Sequence, residues 1–545
     1  MCSFRGDDTP ARNRPRTRIF GRRFYPFHQL ISCPTLPRVM FRILTLSIIT
    51  LAAIQAAAKP LNLLVIQTDE HNYRTLGCYR KLLPESDYYF GKDVVKTPNI
   101  DWIADNGAIC TSFYATSPVC SPSRAALVTG QYPQNTPVVS NNTPMSDDVV
   151  TFAEILRRQG YATGYAGKWH LDGDGKPQWR PKRHFGFEDN RFMFNRGHWK
   201  KFADTPEGPK VASVDKRGNP SYGVNGADEN SFATDWLADK VVDFIDKNKS
   251  KPFCYMVSFP DPHGPNTVRA PYDSKYTDVK VPIPATTLNK TRQQTPPWAA
   301  VTPKLTADTV RSIMPGYYGM VECLDDNIGK ILNRLRKHGI LENTVIVFTS
   351  DHGDLCGEHG RLNKGVPYEG SARIPLLLYC PSEVKKGTVI NQALSCVDFL
   401  PTVMDLMGHK TAGREEGRNA SSLFRGTAKN WHDVAFIRAT GGWVMAATDQ
   451  LKLVFSPQGK PWLFDLQGDP DELNNHIAAP QHRTKIRSLA QQLIAYGKKY
   501  NDPHTQRGRV EQDLAWAASD AKNYSGPPDS EPKPAKRNRK NKTKK

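Results

Sequence analysis

The sequence predicts an α/β fold, with a mostly parallel sheet sandwiched by helices and a smaller C-terminal subdomain of antiparallel sheet plus helix. Three observations carry this. Strand-like apolar runs alternate with helical patterns from Leu61 to about residue 425, the order that builds a parallel sheet covered on both faces. The first run, Leu61–Gln67, is largely apolar rather than alternating, as a strand buried on both sides requires. Beyond about residue 425 the strands are short and only a few residues apart, which suits a meander.

The elements follow in order. The first strand ends in Asp69 and Glu70. TPNIDWIADNGAIC has helical spacing and leads into the strand-like TSFYAT. In SPVCSPSRAALVTG, Ser121 is the expected N-cap, Pro122 suits the first turn and Gly130 closes the helix. Cys120 then stands where a helix N-terminus favours an anion, which leaves a nucleophile, a modified residue or a coincidence. VVTFAEILRRQG is an amphipathic helix, and the strand YATGYAG after it runs into KWH. ENSFATDWLADKVVDFIDKN is a long helix, followed by the strand PFCYMVSF and then DPH. Residues 307–338 are mostly helix, followed by TVIVFTS and then DHGD. RIPLLLYC is a further strand and VDFLPTVMDLMG a further helix. The segments VAFIRAT, WVMAATD, LKLVF and WLFDL make the meander, with a helix near 480–500. Residues 171–230 and 265–305 read as long loops suited to substrate selection.

Four domains are expected: an N-terminal extension with an export signal over 1–58, a catalytic domain over 59–425, a C-terminal subdomain over 426–502 and a basic disordered tail over 503–545. The formal charge of +20 is concentrated at the ends, with +7 in residues 1–58 and +7 in 531–545. Only +6 remains between them, so nucleic acid is not the expected partner, while an acidic substrate is compatible. MFRILTLSIITLAAIQAAAKP places Arg42, an apolar run and an alanine cleavage site after Met40. Met40 is therefore the expected start and Lys59 the expected mature N-terminus, with export to the periplasm or the extracellular space. The apolar run is too short for stable membrane insertion. Ten cysteines over this length are not a disulfide scaffold, and no zinc spacing is present.

The polar motifs all follow strands, at the sheet edge where ligands bind in open α/β folds. Asp69, Glu70, Asp351 and His352 form a mainly oxygen ligand set, suited to calcium or magnesium, with His352 leaving manganese open. Lys168 and His170 point the same way in an extended segment. With Arg124, His263 and Lys364 they make a clamp for a tetrahedral oxyanion, sulfate or phosphate.

Taken together, these residues resemble a type I sulfatase of the alkaline-phosphatase superfamily. CSPSR at 120–124 matches that family's C-x-P-S-R signature. TDE, GKWH, PHGP, SDHG, KGVPYEG and LFDLQGDPDELNN follow in the family's order, from about Asn62 to His476. The resemblance implies an alkaline-phosphatase-like fold and a Cys120 oxidised to formylglycine by a dedicated generating enzyme. The hydrate of that aldehyde would attack sulfur, release the alcohol, and expel sulfate on collapsing back to the aldehyde. Carried over by position, Asp69, Asp351, His352 and modified Cys120 would bind calcium, and Glu70 is a further candidate ligand. Arg124 would hold the hydrate, and His170 would act as base for the second step with Lys168 nearby. His263 and Lys364 would hold the sulfate oxygens, and either could protonate the leaving oxygen. Three positions depart from the pattern: Glu70 stands where many relatives have Asp, Gly370 where a second acid is common, and Asp172 where glycine is common.

The implied activity is release of sulfate from an organic sulfate ester, a sulfated small molecule or carbohydrate. The alternatives are a phosphonate monoester or phosphodiester hydrolase of the same superfamily, and a non-catalytic binder of sulfated polymers.

Overall fold

The strands in chain order are β1 (Asn62–Asp69), β2 (Ala108–Cys110), β3 (Phe113–Tyr114), β4 (Ala162–Lys168), β5 (Asp189–Phe194) and β6 (Phe202–Thr205). Next come β7 (Gly208–Val211), β8 (Phe253–Pro262), β9 (Thr344–Ser350), β10 (Leu376–Tyr379), β11 (Thr388–Ile390) and β12 (Leu394–Ser395). The computed structural model describes residues 59–85, 88–91, 94–288, 295–299 and 305–528. The expected export signal over 1–58 lies outside them.

Eight strands form one sheet in the order β11-β2-β10-β9-β1-β8-β4-β5. The five neighbours β9, β1, β8, β4 and β5 run parallel, and β10 is antiparallel to β9. All eight residues of β1 are buried. Its side chains divide between two cores, as the pleat demands. Leu63 and Val65 join Leu127, Phe152 and Val347 on one face. Leu64 and Ile66 join Ile100, Trp236, Leu324 and Phe348 on the other. The helices Pro98–Asn106, Ala233–Asn248 and Ala307–Lys337 supply that second face. The parallel arrangement delivers the C-terminal ends of β1, β4, β8 and β9 to one edge.

The C-terminal sheet is an antiparallel meander of β13 (Ala435–Arg438), β14 (Val444–Ala447), β15 (Leu451–Ser456) and β16 (Gly459–Asp465). One face packs on the helix Arg483–Lys499, with Leu453 and Phe455 against Leu489 and Leu493. The other carries Ile437, Val454 and Phe464 against Leu355, Val366 and Tyr368 of the preceding part. Charge ties the same junction: buried Lys452 of β15 lies 2.8 Å from Glu369 Oε1 and also pairs with Glu472. Glu369 N–H donates to Glu472 Oε2 at 2.7 Å.

Two expectations need correction. Residues 171–230 are not one long loop: β5 extends the main sheet and β6 and β7 form a hairpin. The sequence DNRFMF hides this strand because its first three residues are polar, although Met193 and Phe194 pack into the cores on its two faces. Disorder does not begin at 503 either. The helix Gly508–Ala518 buries Val510, Leu514 and Trp516 against the C-terminal core, so the subdomain continues past 502. Residues 529–545 of the expected tail lie outside the described residues. Among the described residues no helix is long and apolar enough to cross a membrane. All eight described cysteines are free and buried.

Candidate active site

Val119 is extended and caps the helix Cys120–Thr129 through its backbone, so the helix begins two residues before the position expected for its first turn. Ser121 is not the N-cap: its hydroxyl donates to His170 O at 2.7 Å, and Asn141 Oδ1 accepts from its N–H at 3.0 Å. Every residue of the helix is buried, and Gly130 closes it at φ 67°, a left-handed conformation that glycine adopts without strain.

The thiol of Cys120 faces the ends of β1 and β9. Its sulfur lies 3.2 Å from His352 Nε2. One donor atom each from Asp69, Cys120, Asp351 and His352 falls within 4.8 Å of the others. His352 Nδ1 lies 3.0 Å from Gly353 O, so it donates there and leaves Nε2 turned to the cluster. Asp351 Oδ1 accepts from the backbone N–H groups of Glu70 and His352. Asp69 Oδ1, by contrast, is buried with no hydrogen-bond partner. Two carboxylates and an imidazole with an orphaned carboxylate oxygen fit a hard divalent cation. The electrostatics agree: although burial opposes its charge, His352 is raised to about 9 by Asp351 and Cys120, so this point attracts positive charge.

Arg124 lies one turn along the helix. Nε donates to Asp351 Oδ2 at 2.9 Å, and Nη2 lies 3.2 Å from Asp69 Oδ2. Nη1 reaches Gln67 Oε1, Lys168 O and Ser258 Oγ. Its fork is therefore spent on bracing both carboxylates, and it makes no hydrogen bond to Cys120. Lys168, at the end of β4 and wholly buried, pairs with Asp69 Oδ2.

Burial alone would raise the Cys120 thiol, but Lys168, Lys364, His352 and a hydrogen bond to His170 hold it well below the usual range. Burial is the largest influence on Asp69 and would raise it, but Lys168, Arg124 and His263 together hold it well below the usual carboxylate range. His170 takes a positive φ of 61° just past β4 and is lowered chiefly by burial.

Glu70 is not brought into the cluster of four. Its carboxylate turns to the oxyanion clamp instead, with Oε2 2.8 Å from His263 Nε2 and Oε1 3.0 Å from Lys364 Nζ. The extra methylene relative to aspartate gives it this reach. His263 and Lys364 in turn lie 2.9 Å apart. Burial opposes the charge on Glu70, yet His263 and Lys364 beside it lower it to about 2.

Gly370 has a spatial explanation, since a Cβ there would meet the Glu358 carboxylate at 2.8 Å. That carboxylate pairs with Arg74 at 3.1 Å. Asp172 is drawn away from the site by Arg183 Nε at 2.7 Å and Gln178 at 3.0 Å.

One site residue escapes the sequence reading. His198 stacks on His263 with ring centroids 3.4 Å apart, and its Nε2 lies 2.8 Å from Lys168 Nζ. Because an ammonium has no lone pair, Lys168 donates and His198 Nε2 accepts. Burial, Lys168 and His263 together lower this imidazole well below the ordinary histidine value. Its only signal in sequence was a place within a segment expected to select substrate.

Comparison with known proteins follows the same residues. A family model described as Sulfatase matches residues 62–409, and one described as N-sulphoglucosamine sulphohydrolase, C-terminal, matches 357–499. An arylsulfatase of Clostridium perfringens is 28% identical over 74% of this chain and 90% of its own. An N-acetylglucosamine-6-O-sulfatase of Bacteroides thetaiotaomicron is 26% identical over 81% of this chain and 87% of its own. A solved structure in complex with its substrate, D-glucosamine-2-N,6-O-disulfate, matches with TM-score 0.66 and 23% identity over 82% of this chain and 100% of that one. A phosphonate monoester hydrolase of Agrobacterium radiobacter matches with TM-score 0.63 and 23% identity over 81% and 96%. At these identities the two solved structures speak for the fold.

Proposed function

The chain belongs to the type I sulfatases of the alkaline-phosphatase superfamily, and we propose that it is an exported, formylglycine-dependent hydrolase of sulfated carbohydrates. The observation that supports this best is the placement of Cys120. It opens a buried helix, lies within 4.8 Å of Asp69, Asp351 and His352, and is surrounded by Lys168, Lys364 and His170.

The sulfur at 120 marks where an oxygen of the modified residue would stand. Asp69, Asp351 and His352 would hold the cation, and calcium fits the oxygen-rich set, with magnesium and manganese as alternatives. The bound cation would supply Lewis acidity and the modified residue a nucleophilic oxygen.

The remaining residues bind, orient and move protons. Lys168 places a cation beside the nucleophile, fixed by Asp69. His170, kept neutral by burial, can accept a proton at position 120. His263 and Lys364 offer N–H donors to sulfate oxygens once Glu70 yields them, and either can protonate the departing alcohol. Arg124 fixes the geometry of both carboxylates rather than touching the nucleophile.

The export signal after Met40, with Lys59 near the mature N-terminus, supports periplasmic or extracellular action. The generating enzyme that converts Cys120 is then an obligatory partner during maturation. Sugars named for relatives such as the N-acetylglucosamine-6-O-sulfatase support a carbohydrate substrate.

One experiment tests the reading. The chain is co-expressed with a formylglycine-generating enzyme, and the peptide spanning Cys120 is weighed. Turnover of aryl sulfate, sugar sulfates and an aryl phosphonate monoester is then compared. An aldehyde at 120 with sulfate ester preferred is expected. An aldehyde with phosphonate preferred would move the chain to the phosphonate hydrolases.

A further inference from the structure

The exposure of the site falls in one direction. Lys168, Asp69 and His352 are wholly buried, whereas His198, His263 and Lys364 are 21%, 14% and 17% exposed. An ester therefore enters past the imidazole stack, and its alcohol half remains on that side.

What stands there comes from the segment between β4 and β8. Trp199 follows His198, and the Tyr222 ring lies 4.8 Å from it and 6.0 Å from the His198 ring. Lys176 Nζ sits over Tyr222 at 4.8 Å and over Trp199 at 5.3 Å. Unlike Lys168, Lys200 and Lys364, Lys176 has no carboxylate partner among the described residues. Two aromatic rings hold this cation in place without neutralising it.

The wall is also built in advance. Buried Asn195 donates to Gly173 O and Gly175 O at 3.1 Å each and to Gln178 Oε1 at 3.0 Å. The Lys176 loop is thereby fastened to the end of β5, three residues before His198.

Resting on the sulfatase reading of the site, we propose that Tyr222 and Lys176 form the leaving-group subsite, and that it selects a sulfated sugar carrying a second anionic group. Tyr222 offers apolar area to a sugar ring. Lys176 offers the counter-charge to a carboxylate or a further sulfate on that sugar.

The test uses the modified, calcium-loaded enzyme and three matched substrates: a mono-sulfated aminosugar, the same sugar with a second sulfate, and the same mono-sulfated sugar linked to a uronic acid. The expected result is a kcat/KM about tenfold higher for one of the two doubly charged substrates. Lys176→Met should remove most of that preference through KM, and Lys176→Arg should restore it. Tyr222→Ala should raise KM for all three sugars more than for ethyl sulfate. Titration calorimetry on Cys120→Ala, with and without Lys176→Met, should show the same loss in binding, independent of turnover. The substrate that responds distinguishes sulfate from carboxylate as the second anion. A preference unchanged in Lys176→Met overturns the proposal, as does hydrolysis of aryl sulfate with no sugar accepted, an outcome that leaves the sulfatase reading standing. No sulfate ester hydrolysed at all overturns both.

Discussion

Arg124 Nη2 lies 2.9 Å from Asp351 Oδ2, and both side chains are buried. The same nitrogen reaches Asp69, so one guanidinium braces carboxylates at the ends of two neighbouring strands. Arg124→Lys keeps the charge but not the fork. It should cost about 3–5 kcal/mol, the scale for opening a buried pair, read as a lower urea midpoint. A midpoint unchanged from the parent would contradict the bracing role.

Asp69 and Glu70 are adjacent but face different tasks. Asp69→Asn should lower calcium affinity at least about tenfold in direct titration. Glu70→Gln should leave calcium affinity within about threefold and change KM for sulfate esters, since its carboxylate holds His263 and Lys364. Equal losses of calcium in both variants would return Glu70 to the ligand set.

At position 120 the informative pair is Cys120→Ser and Cys120→Ala. Both should abolish steady turnover. Cys120→Ser retains a hydroxyl that can attack once without a route to expel sulfate, so its intact mass should rise by one sulfuryl group on incubation with substrate. Cys120→Ala should show no such adduct.

The junction of the two sheets should be sensitive to pH. Burial raises Glu472 to about 7 from 4.5, and the neighbouring charge of Glu369 opposes the relief from Lys452. The folded state thus favours the protonated acid. Its contribution is fully present below pH 4.5 and is lost as pH rises through about 7. Glu472→Gln should flatten the fall in stability across this window, by about 1–3 kcal/mol at pH 8. A parallel pair of stability curves would exclude the acid as the cause.

Truncation after Asp502 removes the helix Gly508–Ala518. Burial of Val510, Leu514 and Trp516 should make this cost at least about 3 kcal/mol, seen as a lower thermal midpoint.

Most of the sheet was legible because strands buried on both faces leave long apolar runs, as in Leu63–Ile66. The edge strand β5 was not, since its first three residues, Asp189, Asn190 and Arg191, are polar and interrupt the apolar run. Asp69, Cys120, Asp351 and His352 could be placed together because strand ends in a parallel sheet share an edge. The partners of Arg124 and Glu70 could not, because one methylene or one rotamer decides which charge a side chain meets. His198 lies further still from the reach of periodicity: its place depends on the path of a segment from β5 to β6. The helix after 502 was masked by its polar surroundings, although Val510, Leu514 and Ala517 stand at helical spacing.

The burial of the helix at 120–129 sets an order of events. Cys120 is 2% exposed and Arg124 1% exposed, so the folded chain presents neither to another protein. An enzyme that must grip the CSPSR segment to oxidise its cysteine can act only while the segment is still extended. On the formylglycine proposal, maturation would be a race between two clocks, one for conversion and one for collapse of the sheet around the helix. A chain that folded first would then stay a well-packed thiol protein, with unfolding its one route back to conversion.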